Sequence, residues 1–97
     1  MFKPQNKEEL QKLVADESVG LGEIDTSAIT DMAYLFEGSS RRDFSGIEKW
    51  DVSNVTDMRA MFSYAKYFNA PIGAWNVANV QNMAQMFSDA PIFNQAL

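Results

Sequence analysis

Trp50-Asp51-Val52-Ser53-Asn54-Val55-Thr56-Asp57-Met58 is the stretch that decides the fold of this chain, because the chain carries it more than once. It continues through Met61-Phe62 to Phe68-Asn69. Trp75-Asn76-Val77-Ala78-Asn79-Val80-Gln81-Asn82-Met83 repeats it through Met86-Phe87 to Phe93-Asn94. A diverged first copy runs from Ile24-Asp25-Thr26-Ser27-Ala28 to Met32, then Leu35-Phe36. The spacing is 26 residues from Ile24 to Trp50 and 25 from Trp50 to Trp75. Self-similarity at such a period marks units that cannot bury an apolar face alone and must stack on their neighbours.

Each copy divides into two pieces. The first is extended, over 21–26, 47–52 and 72–77, with an aliphatic residue three positions before the Trp site: Leu21/Ile24, Ile47/Trp50 and Ile72/Trp75. Its steps of two and three are not clean alternation, yet a strand is the expected element. The second piece, near 29–37, 55–63 and 80–88, places apolar residues at i, i+3, i+6 and i+7, and so predicts a short helix. Ser27 or Ala28, Ser53 or Asn54, and Ala78 or Asn79 stand where an N-cap belongs. A polar turn then leads to Phe44, Phe68 and Phe93, and the first of these turns, Glu37 to Asp43, holds two extra residues. Stacking would align Leu21, Ile47 and Ile72; Ile24, Trp50 and Trp75; Met32, Met58 and Met83; and Phe36, Phe62 and Phe87. The expected fold class is α/β, a short right-handed leucine-rich-repeat-like solenoid of strand-turn-helix units.

Ahead of the repeats, residues 6 to about 16 predict an amphipathic helix. Asn6 and Glu9 fit a capping box, while Leu10, Leu13 and Val14 share one face. The chain thus reads as one domain, with an N-terminal capping helix over 1–20 and three copies over about 21–46, 47–71 and 72–97.

Composition narrows the function. Apolar residues make up 46% of the 97 positions, enough for a core, and the net charge of −5 argues against nucleic acid as a partner. The Arg41-Arg42 doublet beside Asp43 reads as solvated surface. Without Cys or His, thiolate chemistry and the commonest general base and metal ligand are absent, so neither an enzyme nor a cofactor is expected. No apolar run reaches the length of a membrane span, and Met1 to Asn6 lacks the apolar core of a secretory signal.

The Trp50–Met58 phrase with Met61-Phe62 and Phe68-Asn69 resembles the repeat of bacterial BspA-like surface proteins, also called the Mycoplasma lipoprotein repeat. The resemblance covers about 21–97 and implies a leucine-rich-repeat-like array with a binding or adhesion role at the bacterial surface. The sequence departs from that pattern in having no lipobox Cys, which leaves its compartment open.

Asp25, Asp51 and Asn76 form one column of oxygen acceptors, and Asp31, Asp57 and Asn82 another. A Ca²⁺ ladder is one reading. Caps that tie turns together is the favoured one, since both columns end in Asn. Trp50 and Trp75 could offer an aromatic platform, but Ile24 at the same position favours packing. Tyr34, Tyr64 and Tyr67 fall outside the apolar columns and are candidate protein contacts, together with Phe93 and Leu97 near the end. Leu97 follows Phe93 by four residues, as Ile72 follows Phe68, and so begins a fourth unit beside an open edge. The expected function is a non-catalytic protein-binding module of surface type with a protein partner. The alternative is a structural unit that self-associates into a homo-oligomer through that C-terminal edge.

Overall fold

A computed structural model describes residues 1–90 of the chain. Phe93 and Leu97, and the beginning of a fourth unit, lie outside the described residues.

The first element is the expected helix, α1, Lys7–Ala15. The Asn6 side chain accepts the Glu9 N–H at 2.9 Å, which satisfies one orphan amide of the first turn. The Glu9 carboxylate reaches back, but to the N–H of Gln5 at 2.8 Å rather than to that of Asn6. Leu10 and Val14 are buried against the repeats.

The α/β leucine-rich-repeat-like solenoid of strand-turn-helix units is not what the chain builds. Among the described residues α1 is the only α-helix, and there is no sheet. The three extended pieces are instead single 3₁₀ turns, Leu21–Glu23, Ile47–Lys49 and Ile72–Ala74. In each, the N–H at the Trp site bonds the carbonyl three residues back: Ile24 to Leu21 at 3.2 Å, Trp50 to Ile47 at 3.0 Å, Trp75 to Ile72 at 3.0 Å. Residues i and i+3 eclipse on such a turn, which accounts for the step of three.

The three expected helices are absent for a reason visible in their hydrogen bonds. Along 32–38 the N–H groups go alternately inward and across. Leu35, Glu37 and Ser39 bond Met32, Tyr34 and Phe36 of their own copy, at 3.2, 3.2 and 3.0 Å. Met32, Tyr34, Phe36 and Gly38 instead donate to Asp57, Arg59, Met61 and Ser63 of the next copy, at 2.8–2.9 Å. The second copy repeats this toward the third, with Met58, Ala60, Phe62 and Tyr64 donating to Asn82, Ala84, Met86 and Ser88 at 2.9 Å. Half the amides an α-helix would use are thus committed to a neighbour, and among the described residues no buried side-chain nitrogen or oxygen lacks a partner. The turns require a left-handed residue at intervals, and φ is positive at Tyr34, Ala60 and Gln85 and again at Gly38, Tyr64 and Asp89.

The core lies between the copies. Phe36, Phe62 and Phe87 stack with ring centroids 5.5 and 5.8 Å apart and planes within 5° and 3°. Phe68 lies on Phe62 at 3.7 Å, and Phe44 meets Phe36 edge-on at 5.3 Å. Stacked and edge-to-face rings add specific attraction to the area they bury. One column breaks: Met32 and Met58 are fully buried, but Met83 is 43% exposed.

Gly46 marks a close backbone approach between the first two copies. At φ 94° it sits against Gly22, and a Cβ there would lie 2.5 Å from the Gly22 nitrogen. Only glycine fits.

Candidate functional site

Two side chains bind both the second and the third copy to the one before it, and the Thr56 hydroxyl adds a bond to the Thr30 carbonyl at 3.3 Å. The Trp50 indole N–H donates to the Leu21 carbonyl at 2.8 Å, and the Trp75 indole to Ile47 at 3.1 Å. The Asn54 carboxamide donates to the Ser27 carbonyl at 2.9 Å, and Asn79 to Ser53 at 2.7 Å. Backbone bonds from Thr56 to Thr30 and from Gln81 to Thr56, both 2.8 Å, complete the seam. The first copy has no copy before it, and there Ile24 and Ala28 replace Trp and Asn. The Ile-for-Trp exchange therefore reports a missing acceptor, not indifference to the ring. Asn54 and Asn79, read as N-caps, are inter-copy ties.

The acceptor columns serve local turns. Asp25, Asp51 and Asn76 each accept the N–H two residues on, at 3.0, 3.0 and 3.1 Å. Asp31, Asp57 and Asn82 do the same at 2.9 Å. These are Asx turns, which let Asn stand in for Asp because only the oxygen is used. The Ser53 hydroxyl and N–H bonded to Asp51 hold its carboxyl below the usual carboxylate range. The Ser18 and Ser45 hydroxyls do the same for Asp16 and Asp43, and the Ser27 N–H for Asp25. Among the described residues no three carboxylates gather as a metal site would need.

The tyrosines do not form one surface. Tyr34 and Tyr64 are exposed, while Tyr67 is half-buried with the Arg42 guanidinium 4.5 Å above its ring. Among the described residues no ring contact joins the three. Arg41 is not solvated surface. It is 4% exposed and donates to the Val14 and Asp16 carbonyls at the end of α1 at 2.9 and 3.3 Å, to Asp43 at 2.9 Å, and to Val19. The longer turn from Glu37 to Asp43 is what carries it there. The one signal in the sequence was that this turn alone holds extra residues.

The remaining feature is the far side of the third copy. Ile72, Trp75, Val77, Met83, Met86 and Phe87 line an apolar groove of about 180 Å³. Along its rim the N–H groups of Met83, Gln85 and Asp89 have no acceptor among the described residues, although their counterparts in the earlier copies are all bonded. A row of free amides beside apolar surface is a template for another backbone.

Among the described residues no helix is long and apolar enough to cross a membrane. No curated protein and no solved structure matches the chain. Residues 5–97, which hold α1 and all three copies, match the family model described as Mycoplasma protein of unknown function, DUF285. The chain therefore belongs to the DUF285 family, whose function is unknown.

Proposed function

We propose that the chain is a non-catalytic protein-binding module whose contact surface is the open side of the third copy. One observation carries this reading. Met83 is 43% exposed where Met32 and Met58 are fully buried, so a surface built like the inter-copy seam faces solvent. Apolar area of this kind, rimmed by backbone donors, gains free energy when an extended segment covers it. The missing His and Cys support a non-catalytic role. The Trp50–Met58 motif supports a place among BspA-like surface repeat proteins, with the adhesion-type setting that resemblance implies.

The test is selection of a random peptide library displayed on phage against the ¹⁵N-labelled chain. Enriched peptides should shift the amides of Met83, Gln85 and Asp89, and Met83→Lys should abolish their binding while leaving the other amides in place. Failure to enrich any peptide, or enrichment of peptides that shift only residues around Tyr34 and Tyr64, would remove the third copy as the contact surface.

A further inference from the structure

The edge of the repeats beside α1 lacks a row of donors. Carbonyls of Asp57, Arg59, Met61 and Ser63 accept N–H groups from the first copy, and those of Asn82, Ala84, Met86 and Ser88 accept from the second. Asp31, Ala33, Leu35 and Glu37 hold the same positions in the first copy. Their carbonyls therefore face away from the second copy, on the side where α1 packs. Among the described residues no N–H or hydroxyl donates to any of the four, and Lys7 bonds the Asp31 carboxylate at 3.2 Å, not its carbonyl. The helix cannot supply the missing row, because the amides inside it are spent on its own carbonyls.

Leu35 and Glu37 open on a cavity of about 300 Å³ between the end of α1 and the long turn, lined also by Val14, Glu17, Ser40 and Arg41. That volume stands at the lower end of the roughly 300–1,000 Å³ typical of ligand sites, and it suits a single side chain. Its chemistry calls for a cation rich in N–H groups. Backbone carbonyls and ionised carboxylates can only accept. Glu17 and Glu37 bring two negative charges and Arg41 one positive charge, so the described lining carries an excess of one negative charge. Arg41 is already spent: each of its nitrogens donates to a carbonyl, at Asp43, at Val14 and Asp16, and at Val19. Arg42 lies over Tyr67 and lines a different cavity.

We propose that this cleft binds the guanidinium of an arginine side chain presented by a protein or peptide partner. The guanidinium donates to the Leu35 and Glu37 carbonyls and pairs with the Glu37 carboxylate at the mouth. A planar fork with five donors meets acceptors on more than one wall, as Arg41 does behind it. Free arginine is the poorer ligand, because its own carboxylate would meet Glu17 and Glu37 with no uncommitted cation to receive it. The cleft touches the Phe36 end of the ring stack, whereas the groove beside Met83 lies at the Phe87 end, so the two surfaces are tested separately.

The probe is Nα-acetyl-arginine amide, titrated into the ¹⁵N-labelled full chain. Saturable 1:1 binding is expected, with shifts at the amides of Glu37, Gly38 and Ser40 and none at Gln85 or Asp89. Glu37→Gln, at an exposed position, should leave the rest of the spectrum in place and weaken binding about threefold, as loss of one exposed ion pair implies. The citrulline counterpart, similar in shape but neutral, should bind at least about fivefold more weakly. Equal binding by citrulline, or by Glu37→Gln, would overturn recognition of the charge. Tighter binding by free arginine would overturn the partner side chain as the source. Absence of saturable shifts at Glu37, Gly38 and Ser40 would overturn the site itself and leave the third-copy surface untouched.

Discussion

Replacing Arg41 with Ala should strongly destabilise this domain. The guanidinium is 4% exposed and donates to backbone carbonyls of Val14, Asp16, Val19 and Asp43. Val14 and Asp16 stand at the C-terminal end of α1, where the helix dipole favours a cation; the Val14 carbonyl has no intrahelical donor, while that of Asp16 also accepts the Val19 N–H at 3.0 Å. Removing the side chain strands the Val14, Val19 and Asp43 carbonyls, buried or part-buried, at roughly 1 kcal/mol each, and loses the packing of the stem against α1. Release of a desolvated charge offsets part of this, leaving a net loss of about 3–4 kcal/mol. A domain of this size holds roughly 5–15 kcal/mol in all, so the midpoint should fall by about 15–25 °C. Urea unfolding followed by circular dichroism measures the change. Arg41→Lys should recover less than half, because one ammonium cannot meet acceptors arranged around a planar fork. A loss below about 1 kcal/mol in Arg41→Ala, or full recovery by Lys, would refute the account.

The other predictions use the same assay. Gly46→Ala should cost at least about 3 kcal/mol, because its Cβ would meet the Gly22 backbone at a positive φ, and the loss should far exceed that of Gly22→Ala. Gln85→Gly should stabilise by about 0.5–1 kcal/mol, since an exposed residue held at φ 59° would be relieved of left-handed strain. Trp50→Phe should cost about 1–3 kcal/mol through the lost indole bond to the Leu21 carbonyl and the lost ring area, whereas Ala28→Asn should change little, having no preceding carbonyl to reach. Four aspartates, Asp16, Asp25, Asp43 and Asp51, hold carboxyls depressed by their Ser partners. As pH falls the unfolded chain takes up these protons first, so their contribution is present above the ordinary aspartate range and is lost as pH drops through the folded values. Asp51→Asn should keep the turn, as Asn76 does, and flatten that part of the acid transition.

The sequence showed the copies and their register, but not the element each piece would form. Ile29, Met32 and Leu35 recur every three residues, a period that fits successive three-residue turns better than the 3.6 of an α-helix. Phe36 at i+7 from Ile29 is what gives the segment its helical look. Tyr34, Ala60 and Gln85 share no side-chain chemistry, so nothing in the letters announced that all three sit at positive φ. Arg41-Arg42 looked like a surface doublet because local sequence says nothing about a helix end some 25 residues away. The candidate contacts Tyr34, Tyr64 and Tyr67 lie outside the apolar pattern and Phe93 and Leu97 outside the described residues, whereas the groove beside Met83 lies within that pattern. Met83 is 43% exposed where Met32 and Met58 are buried, a difference that equal letters in one column do not announce.

The sequence by itself determined which residues are equivalent: the 25- and 26-residue spacing placed Phe36, Phe62 and Phe87 in one stack and the Asp and Asn letters in one kind of turn. It also determined α1, because a cap, an amphipathic face and helix formers act within a few residues of one another. The tertiary structure alone decided the turn-rich form of the copies and the meaning of Trp and Asn. Whether an amide bonds its own copy or the next is settled by the neighbour's carbonyls, which local propensity does not see. The same competition that dissolved the expected helices leaves the Met83, Gln85 and Asp89 amides without an acceptor among the described residues.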